Sequence, residues 1–386
     1  MERVPKIVFR TLLALSIAAG TAFSAIVIFS PHVLALLREG YPAQIWPAGG
    51  SFAVVEGVEH LDAAAYHTTL PQGLKASFET SGGRAFLAER GGTLVASGFA
   101  TGVSPATRFN SFSLVKSLVG FLVLKAIDDG VIPSLDARLG AIDPSLAAYP
   151  VGKLALREIL DMRSGISFEV NGSALASSGD ANGEKALEAV PYNPFGPLAR
   201  LHALGIDAVL PFLRISAQRQ GSFEYQNVNT ALAGKVLEAA YGEKLENLLS
   251  RQIWKPSGAS QAQWRQYSSL SSVSPYCCLY ATASDWLHVA RFLLDNGTPD
   301  NPLLTSAMHS YWIGDDIGPQ ERHKGIYRSF TRYDVLDRPG KKAQGPFAYF
   351  LGQNGQVIYI HPGLDLVVIR FGQGMQLLHS TLYELE

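Results

Sequence analysis

A chain of 386 residues, 47% hydrophobic and 17% charged, is long enough for one large domain or two closely packed ones. Its formal net charge of −1 gives no electrostatic case for nucleic acid or a broad anionic surface as a partner. Two cysteines exclude a disulfide framework and a cysteine-rich metal site.

The N-terminus sets Arg3, Lys6 and Arg10 against a single Glu2, and an uncharged run follows from Thr11 to Phe29. About 20 apolar residues cross a bilayer. The basic flank keeps the N-terminus in the cytoplasm and sends the bulk of the chain out. The rival is a cleaved signal peptide, with Ala22-Phe23-Ser24 as the small-residue cleavage site. Apolar character continues through Ile26–Phe29 and resumes at Val33–Leu37, which favours an uncleaved anchor. The expected division is an anchor or signal segment over 1–37, a linker over 38–73 rich in Pro and Gly, and one domain over 74–386. That domain is expected outside the cytoplasm, membrane-anchored, or secreted if the segment is cleaved.

Short β-like runs come next, at Ala76–Thr80, Ala85–Arg90 and Thr93–Gly98, punctuated by Gly82-Gly83 and Gly91-Gly92. That is the pattern of an antiparallel meander. A helix then begins near Asn110 or Ser111, both good N-cap types, and ends near Asp128-Asp129-Gly130. Ser113 and Lys116 stand at i and i+3, on one face of that helix. A hydroxyl beside an amine at the start of a buried helix has a chemical use. Desolvation lowers an amine's pKa, and a neutral lysine can take the proton of a neighbouring serine. The helix N-terminus adds a positive dipole end and free N–H groups where negative charge will develop. Ser-x-x-Lys alone is a weak motif; here two later segments answer it.

The middle of the chain is helical and loop-rich. Leu154–Met162 reads as a helix broken by Arg163-Ser164-Gly165, and Asn171–Glu184 as an exposed loop. Helical patterns return at Pro197–Leu204, Thr230–Tyr241 and Ala283–Asp295. Strand-like runs close the chain at Gly325–Tyr333, Phe347–Leu351, Gln356–Ile360 and Leu366–Phe371, with a last helix at Met375–Leu385. Strands at both ends and helices between predict an α+β fold. Its antiparallel sheet is flanked by helices, with a mostly helical subdomain inserted over about 130–300.

The first answering segment is Tyr225-x-Asn227, just before a helix. A phenol near Lys116 can serve as general base or relay a proton to a leaving group, and Asn227 can hold a substrate carbonyl. The second is Gly352-Gln353-Asn354-Gly355-Gln356 at the start of a strand. Glycines at a strand edge let a substrate backbone approach, and the N–H of Gln356 with that of Ser113 can form an oxyanion hole. Each segment alone is equally an ordinary loop or an Asn-Gly turn.

In this order and spacing the three segments resemble the serine β-lactamase and penicillin-binding protein superfamily. It joins a Ser-x-x-Lys helix, a Tyr-x-Asn loop and a Lys-Thr-Gly strand. The class C β-lactamase-like branch, with its esterases and 6-aminohexanoate-dimer hydrolases, is the nearest likeness. Phe112–Ser117, Leu156–Ile166, Gly242–Gly258 and Ala281–Leu287 carry it, over roughly 75–372. The resemblance implies that Ser113 is the acylated nucleophile, Lys116 its proton acceptor and Tyr225 the base for serine and then water. Asn227, Gln353, Asn354, Gly355 and Gln356 would hold the substrate and its oxyanion. Where the family's third motif has lysine, this chain has Gln353. A neutral amide gives up a charge-assisted hydrogen bond of about 1.5–3 kcal/mol, which points toward a neutral substrate.

Other chemistries are weakly represented. A disulfide between neighbours is strained, so Cys277 and Cys278 are expected as free or packed thiols. No His-Glu-x-x-His, Gly-x-Ser-x-Gly, phosphate loop or dinucleotide fingerprint occurs, so neither metal nor cofactor is expected. His361 reads as a turn residue and Asp315-Asp316 as part of a solvated loop. The expected function is hydrolysis of a small ester or amide through an acyl-enzyme on Ser113, with a small-molecule substrate and the membrane as partners. The rivals are a D,D-peptidase, penicillin-binding or weak β-lactamase activity, and a catalytically silent binding domain on a membrane anchor.

Overall fold

The computed structural model describes residues 6–30, 32–34, 36, 50–59, 66, 68–170, 173–175, 197–267, 271–374, 379 and 381–385. Helix α1 (Lys6–Phe29) is the apolar N-terminal run. Its segment Arg10–Phe29 is long and apolar enough to cross a membrane, and none of that window is buried against the rest of the chain. The hydroxyls of Thr21 and Ser24 donate back to the carbonyls of Ile17 and Gly20, one turn earlier. That internal bonding suits an apolar surrounding, as in a signal anchor or signal peptide.

Strand β1 (Ser51–Val55) lies inside the stretch expected to be a linker. Ala53 and Val55 face the core while Phe52 is exposed, so the segment carries a strand's two-residue period. The next run was also misread. Helix α2 (Gln72–Thr80) replaces the expected strand over Ala76–Thr80. Its buried residues are Leu74 and Phe78, and that i, i+4 spacing outweighs the local alternation. Strands β2 (Gly83–Arg90) and β3 (Thr93–Phe99) form the expected hairpin. Strand β4 (Arg108–Asn110) leads into helix α3 (Val115–Asp128), and helix α4 (Asn227–Tyr241) follows further along the chain. The expected loop over Asn171–Glu184 falls mostly outside the described residues, although Ser173–Leu175 pairs as a strand with Ile166–Val170.

Strands β5 (Ala262–Gln266) and β6 (Leu279–Thr282) precede helix α5 (Ala283–Leu294). A capping box starts α5: the Asp285 N–H donates to Thr282 Oγ1, and the Asp285 carboxylate accepts the Thr282 N–H. The chain closes with β7 (Tyr327–Arg328), β8 (Thr331–Leu336), β9 (Gly345–Gly352), β10 (Gln356–His361) and β11 (Leu366–Gly372). The expected last helix has its first residues outside the described set, and Thr381–Leu385 is a 3₁₀ turn.

One antiparallel sheet joins both ends of the chain in the order β7-β8-β9-β10-β11-β2-β3. The C-terminal β11 pairs with the N-terminal β2, Ile369 opposite Leu87. A second sheet, which the sequence did not announce, runs β1-β5-β6-β4. The two faces of the large sheet follow strand alternation. Phe350, Ile358, Ile360, Val367 and Ile369 join the core shared with α3 and α5. Tyr349, Val357, Tyr359 and Val368 face α2 and the C-terminal turn. Helix α3 is buried almost throughout, from Val115 to Leu124, so its first turn is held from every side. The result is an α+β fold, an antiparallel sheet flanked by helices, as the sequence predicts.

Candidate active site

The turn between β4 and α3 fixes Ser113. Asn110 and Ser111 do not begin the helix, because the second sheet claims them. Ser111 N–H donates to the Leu279 carbonyl at 2.9 Å, and Leu279 N–H donates to Ser111 Oγ at 3.1 Å. Asn110 Oδ1 accepts the Phe112 N–H at 2.9 Å, and its amide donates to the Tyr280 hydroxyl. Phe112 then takes φ 43°, a left-handed conformation costing a non-glycine residue about 1–3 kcal/mol. A 3₁₀ turn over Phe112–Leu114 follows before α3 begins. Ser113 is left half-buried while its neighbours on both sides are buried, so its hydroxyl is the group that meets the cavity.

Lys116, one turn on, is 1% exposed. Its Nζ donates to Ser113 Oγ at 2.8 Å and to the Tyr276 carbonyl at 2.8 Å. The amine lies 5.0 Å from the ring centre of Tyr225 and 5.9 Å from that of Tyr276. Among the described residues no carboxylate pairs with it. Burial therefore pushes the Lys116 pKa below its ordinary 10.5, opposed in smaller part by the neighbouring Tyr225. An amine that holds its proton less tightly and is aimed at a hydroxyl can act as its base.

Tyr225 stands on a loop fastened to the turn that ends the Leu156–Leu160 helix. Glu224 N–H donates to the Met162 carbonyl at 2.7 Å, and the Gln226 amide to the Ile166 carbonyl at 3.0 Å. Its ring meets that of Tyr327 edge-on at 5.9 Å. The opposite wall is the end of β9. Gly352 is needed there for close approach, since a Cβ on it would lie 2.6 Å from the Ser111 carbonyl oxygen. The cavity between these walls is about 300 Å³, at the small end for ligand pockets. Ser113, Tyr225, Gly352, Gln353 and Asn354 line it, with Tyr327, Phe330, Arg332 and Leu351 on the remaining sides.

Of the residues named from sequence, the structure gathers Ser113, Lys116, Tyr225, Gln353 and Asn354 around this cavity. Asn227, the first residue of α4, does not line it. Gly355 does not either; its carbonyl accepts from the buried Arg370 guanidinium, which also holds the Ser81 and Gly374 carbonyls. Burial brings the Arg370 pKa down to about 10. The Gln356 side chain is buried and does not line the cavity either. Its amide donates to the Gly372 carbonyl at 3.0 Å, and its oxygen accepts the Gly372 N–H at 2.9 Å. These side-chain contacts tie β10 to β11.

The thiols are a correction. Cys277 and Cys278 are joined in a disulfide. Cys278 adopts φ 70°, which turns the two side chains together just after the Tyr276 carbonyl that receives Lys116. Sequence reasoning missed that carbonyl, together with Tyr327 and Arg332 of the β7–β8 hairpin. A main-chain acceptor has no sequence signal, and a lone arginine in a strand reads as solvated surface. The hairpin is tied to α3: Ser117 Oγ donates to the Phe330 carbonyl at 2.7 Å. Gly120 admits the Ser329 carbonyl at a distance no Cβ would allow. Among the described residues no group of three or more His, Cys, Asp or Glu is placed to hold a metal ion.

Comparison with known proteins places this geometry. The family model described as Beta-lactamase matches residues 72–377. The 6-aminohexanoate-dimer hydrolase of Paenarthrobacter ureafaciens is 26% identical over 330 residues, covering 82% of this chain and 78% of that protein. Among solved structures, a candidate 6-aminohexanoate-dimer hydrolase from Bacillus anthracis superposes with a TM-score of 0.66 at 20% identity, covering 87% of this chain and 89% of that one. The class C beta lactamase from Rhodobacter sphaeroides superposes with a TM-score of 0.53 at 14% identity, over 80% and 95%. The two structural likenesses speak to the fold.

Proposed function

The chain belongs to the beta-lactamase family and is a serine hydrolase, and from that premise we propose that it cleaves a small ester or amide through an acyl-enzyme on Ser113. The observation that carries this reading is the 2.8 Å contact between the buried Lys116 amine and the Ser113 hydroxyl, with Tyr225 beside it. In the first step Lys116 takes the Ser113 proton as Oγ attacks the substrate carbonyl. Negative charge then develops on the carbonyl oxygen, next to the Ser113 N–H and the backbone end of β9 at Gly352. Tyr225 passes a proton to the leaving alkoxide or amine as the carbonyl–leaving-group bond breaks. In the second step a water enters, loses its proton to the Tyr225–Lys116 pair and attacks the ester carbon. Ser113 leaves with its proton restored. The small cavity supports a small substrate, and helix α1 supports a domain that works outside the cytoplasm.

The test is intact-protein mass spectrometry after exposure to a fluorophosphonate, a fluorescent penicillin and a panel of small esters. A single adduct on Ser113 with the fluorophosphonate, absent in Ser113→Ala, is expected. A folded protein that forms no adduct with any of them is a silent binding domain. A lasting adduct with the penicillin alone assigns a penicillin-binding activity.

A further inference from the structure

The lysine absent from position 353 leaves open how a charged substrate would be met, and the cavity holds an answer on a different strand. Resting on the hydrolase reading above, we propose that Arg332 is a specificity residue that recognises a carboxylate on the substrate. Arg332 stands on β8 with its Cα opposite that of Tyr349 on β9. It lines the cavity that Ser113 opens into. Its guanidinium lies 5.4 Å from the ring centre of Tyr327, and that ring braces the planar group within the wall.

Electrostatics set Arg332 apart from the other arginines of this region. Arg328, two positions along the chain from Phe330, is paired with Asp316 at 2.7 Å. Arg322 is buried and donates to the Ile317 and Phe347 carbonyls. Among the described residues Arg332 makes no ion pair and no aspartate or glutamate lines the cavity. A half-buried guanidinium on a cavity whose described lining holds no acidic group offers a fork of donors to a ligand. A carboxylate fits it in a bidentate fashion. The charge that the third motif lost is thereby supplied from the neighbouring hairpin, and the substrate is an ester or amide bearing a carboxylate rather than a neutral one.

The experiment compares kcat/KM for two matched pairs. One is mono-4-nitrophenyl glutarate against its methyl ester, with the charge on the acyl side. The other is 4-butyryloxybenzoate against its methyl ester, with the charge on the leaving side. Wild type should prefer the anionic member of one pair by about tenfold or more, and Arg332→Gln should lower that ratio by about 10- to 100-fold, the loss of one charge-assisted contact. Arg332→Lys should restore part of the ratio. Reading a ratio cancels any general loss from a disturbed fold. No preference in either pair, or an unchanged ratio in Arg332→Gln, overturns the proposal. Calorimetric titration of glutarate into Ser113→Ala protein, with and without Arg332→Gln, tests the arginine without chemistry. Binding that depends on Arg332 supports the proposal even if every ester resists turnover, and its absence in both proteins sinks it. Activity retained by Ser113→Ala refutes the nucleophile assignment and leaves the arginine result standing.

Discussion

Replacing Lys116 by Met tests the centre of the chemistry. The side chain is of similar length and stays apolar, so the buried space is refilled, while both 2.8 Å contacts, to Ser113 and to the Tyr276 carbonyl, are lost. General-base assistance contributes about 10²- to 10⁴-fold, or about 2.7–5.5 kcal/mol at 1.36 kcal/mol per decade. The stability effect is smaller. An orphaned Tyr276 carbonyl costs about 1–3 kcal/mol, and relief of amine desolvation offsets part of it. The assay is the second-order rate of Ser113 labelling by a fluorophosphonate, read by intact mass, with a thermal melt on the same sample. In wild type the rate should climb with pH as the amine loses its proton, with the climb centred below pH 10.5 because burial lowers the pKa. Lys116→Met should be slower by the stated factor and should lack that climb. A folded Lys116→Met protein that labels within about threefold of wild type, with the same pH profile, would falsify the base assignment.

The same buried amine makes stability depend on pH. Its folded pKa lies below the unfolded 10.5, so between the two values the unfolded chain binds more protons and stability rises with pH. Guanidinium midpoints followed upward in pH toward 10.5 should therefore include in wild type a rise that Lys116→Met abolishes. Tyr225→Phe keeps the ring against Tyr327 and removes the hydroxyl, and should slow turnover about 10²-fold; stopped-flow release of nitrophenol checks whether the acyl-enzyme then accumulates as a burst. Gly352→Ala forces a methyl to 2.6 Å from the Ser111 carbonyl, so the nucleophile turn must move. A fall in kcat/KM of about 10²-fold, with a modest change in melting temperature, is the expected result. Gly120→Ala drives a Cβ into the Ser329 carbonyl and should cost about 1–3 kcal/mol of unfolding free energy in a denaturant titration.

How much was readable follows from the range of each signal. Ser113 and Lys116 were legible because a helix turn alone brings i and i+3 together, and α5 because Thr282 and Asp285 spell a capping box within four residues. Tyr225 needed the resemblance, since 109 positions separate it from Lys116 and only the folded loop, tied to Met162, brings it over the amine. Ala76–Thr80 misled because Ala76, Phe78 and Thr80 alternate with polar neighbours, whereas the decisive partner of Phe78 was Leu74 outside that window. Ser51–Val55 is too short to stand out, and its partner β5 lies more than 200 residues on. The Gly352–Gln356 segment stands out in the sequence as a unit, but which of its residues faces the cavity depends on strand register. A shift along that register sends Gln356 to Gly372 and leaves Gly352 against the nucleophile turn.

The β7–β8 hairpin touches α3 only a few residues beyond Lys116, through Ser117 and Gly120. The wall proposed to choose a substrate and the helix proposed to attack it thus share one anchor, but through a backbone carbonyl and a missing methyl rather than through Tyr327 or Arg332. Side chains on the hairpin strands can be exchanged while that anchor stays in place. A library limited to positions 327 and 332 would accordingly retune what the protein accepts without re-aiming its serine.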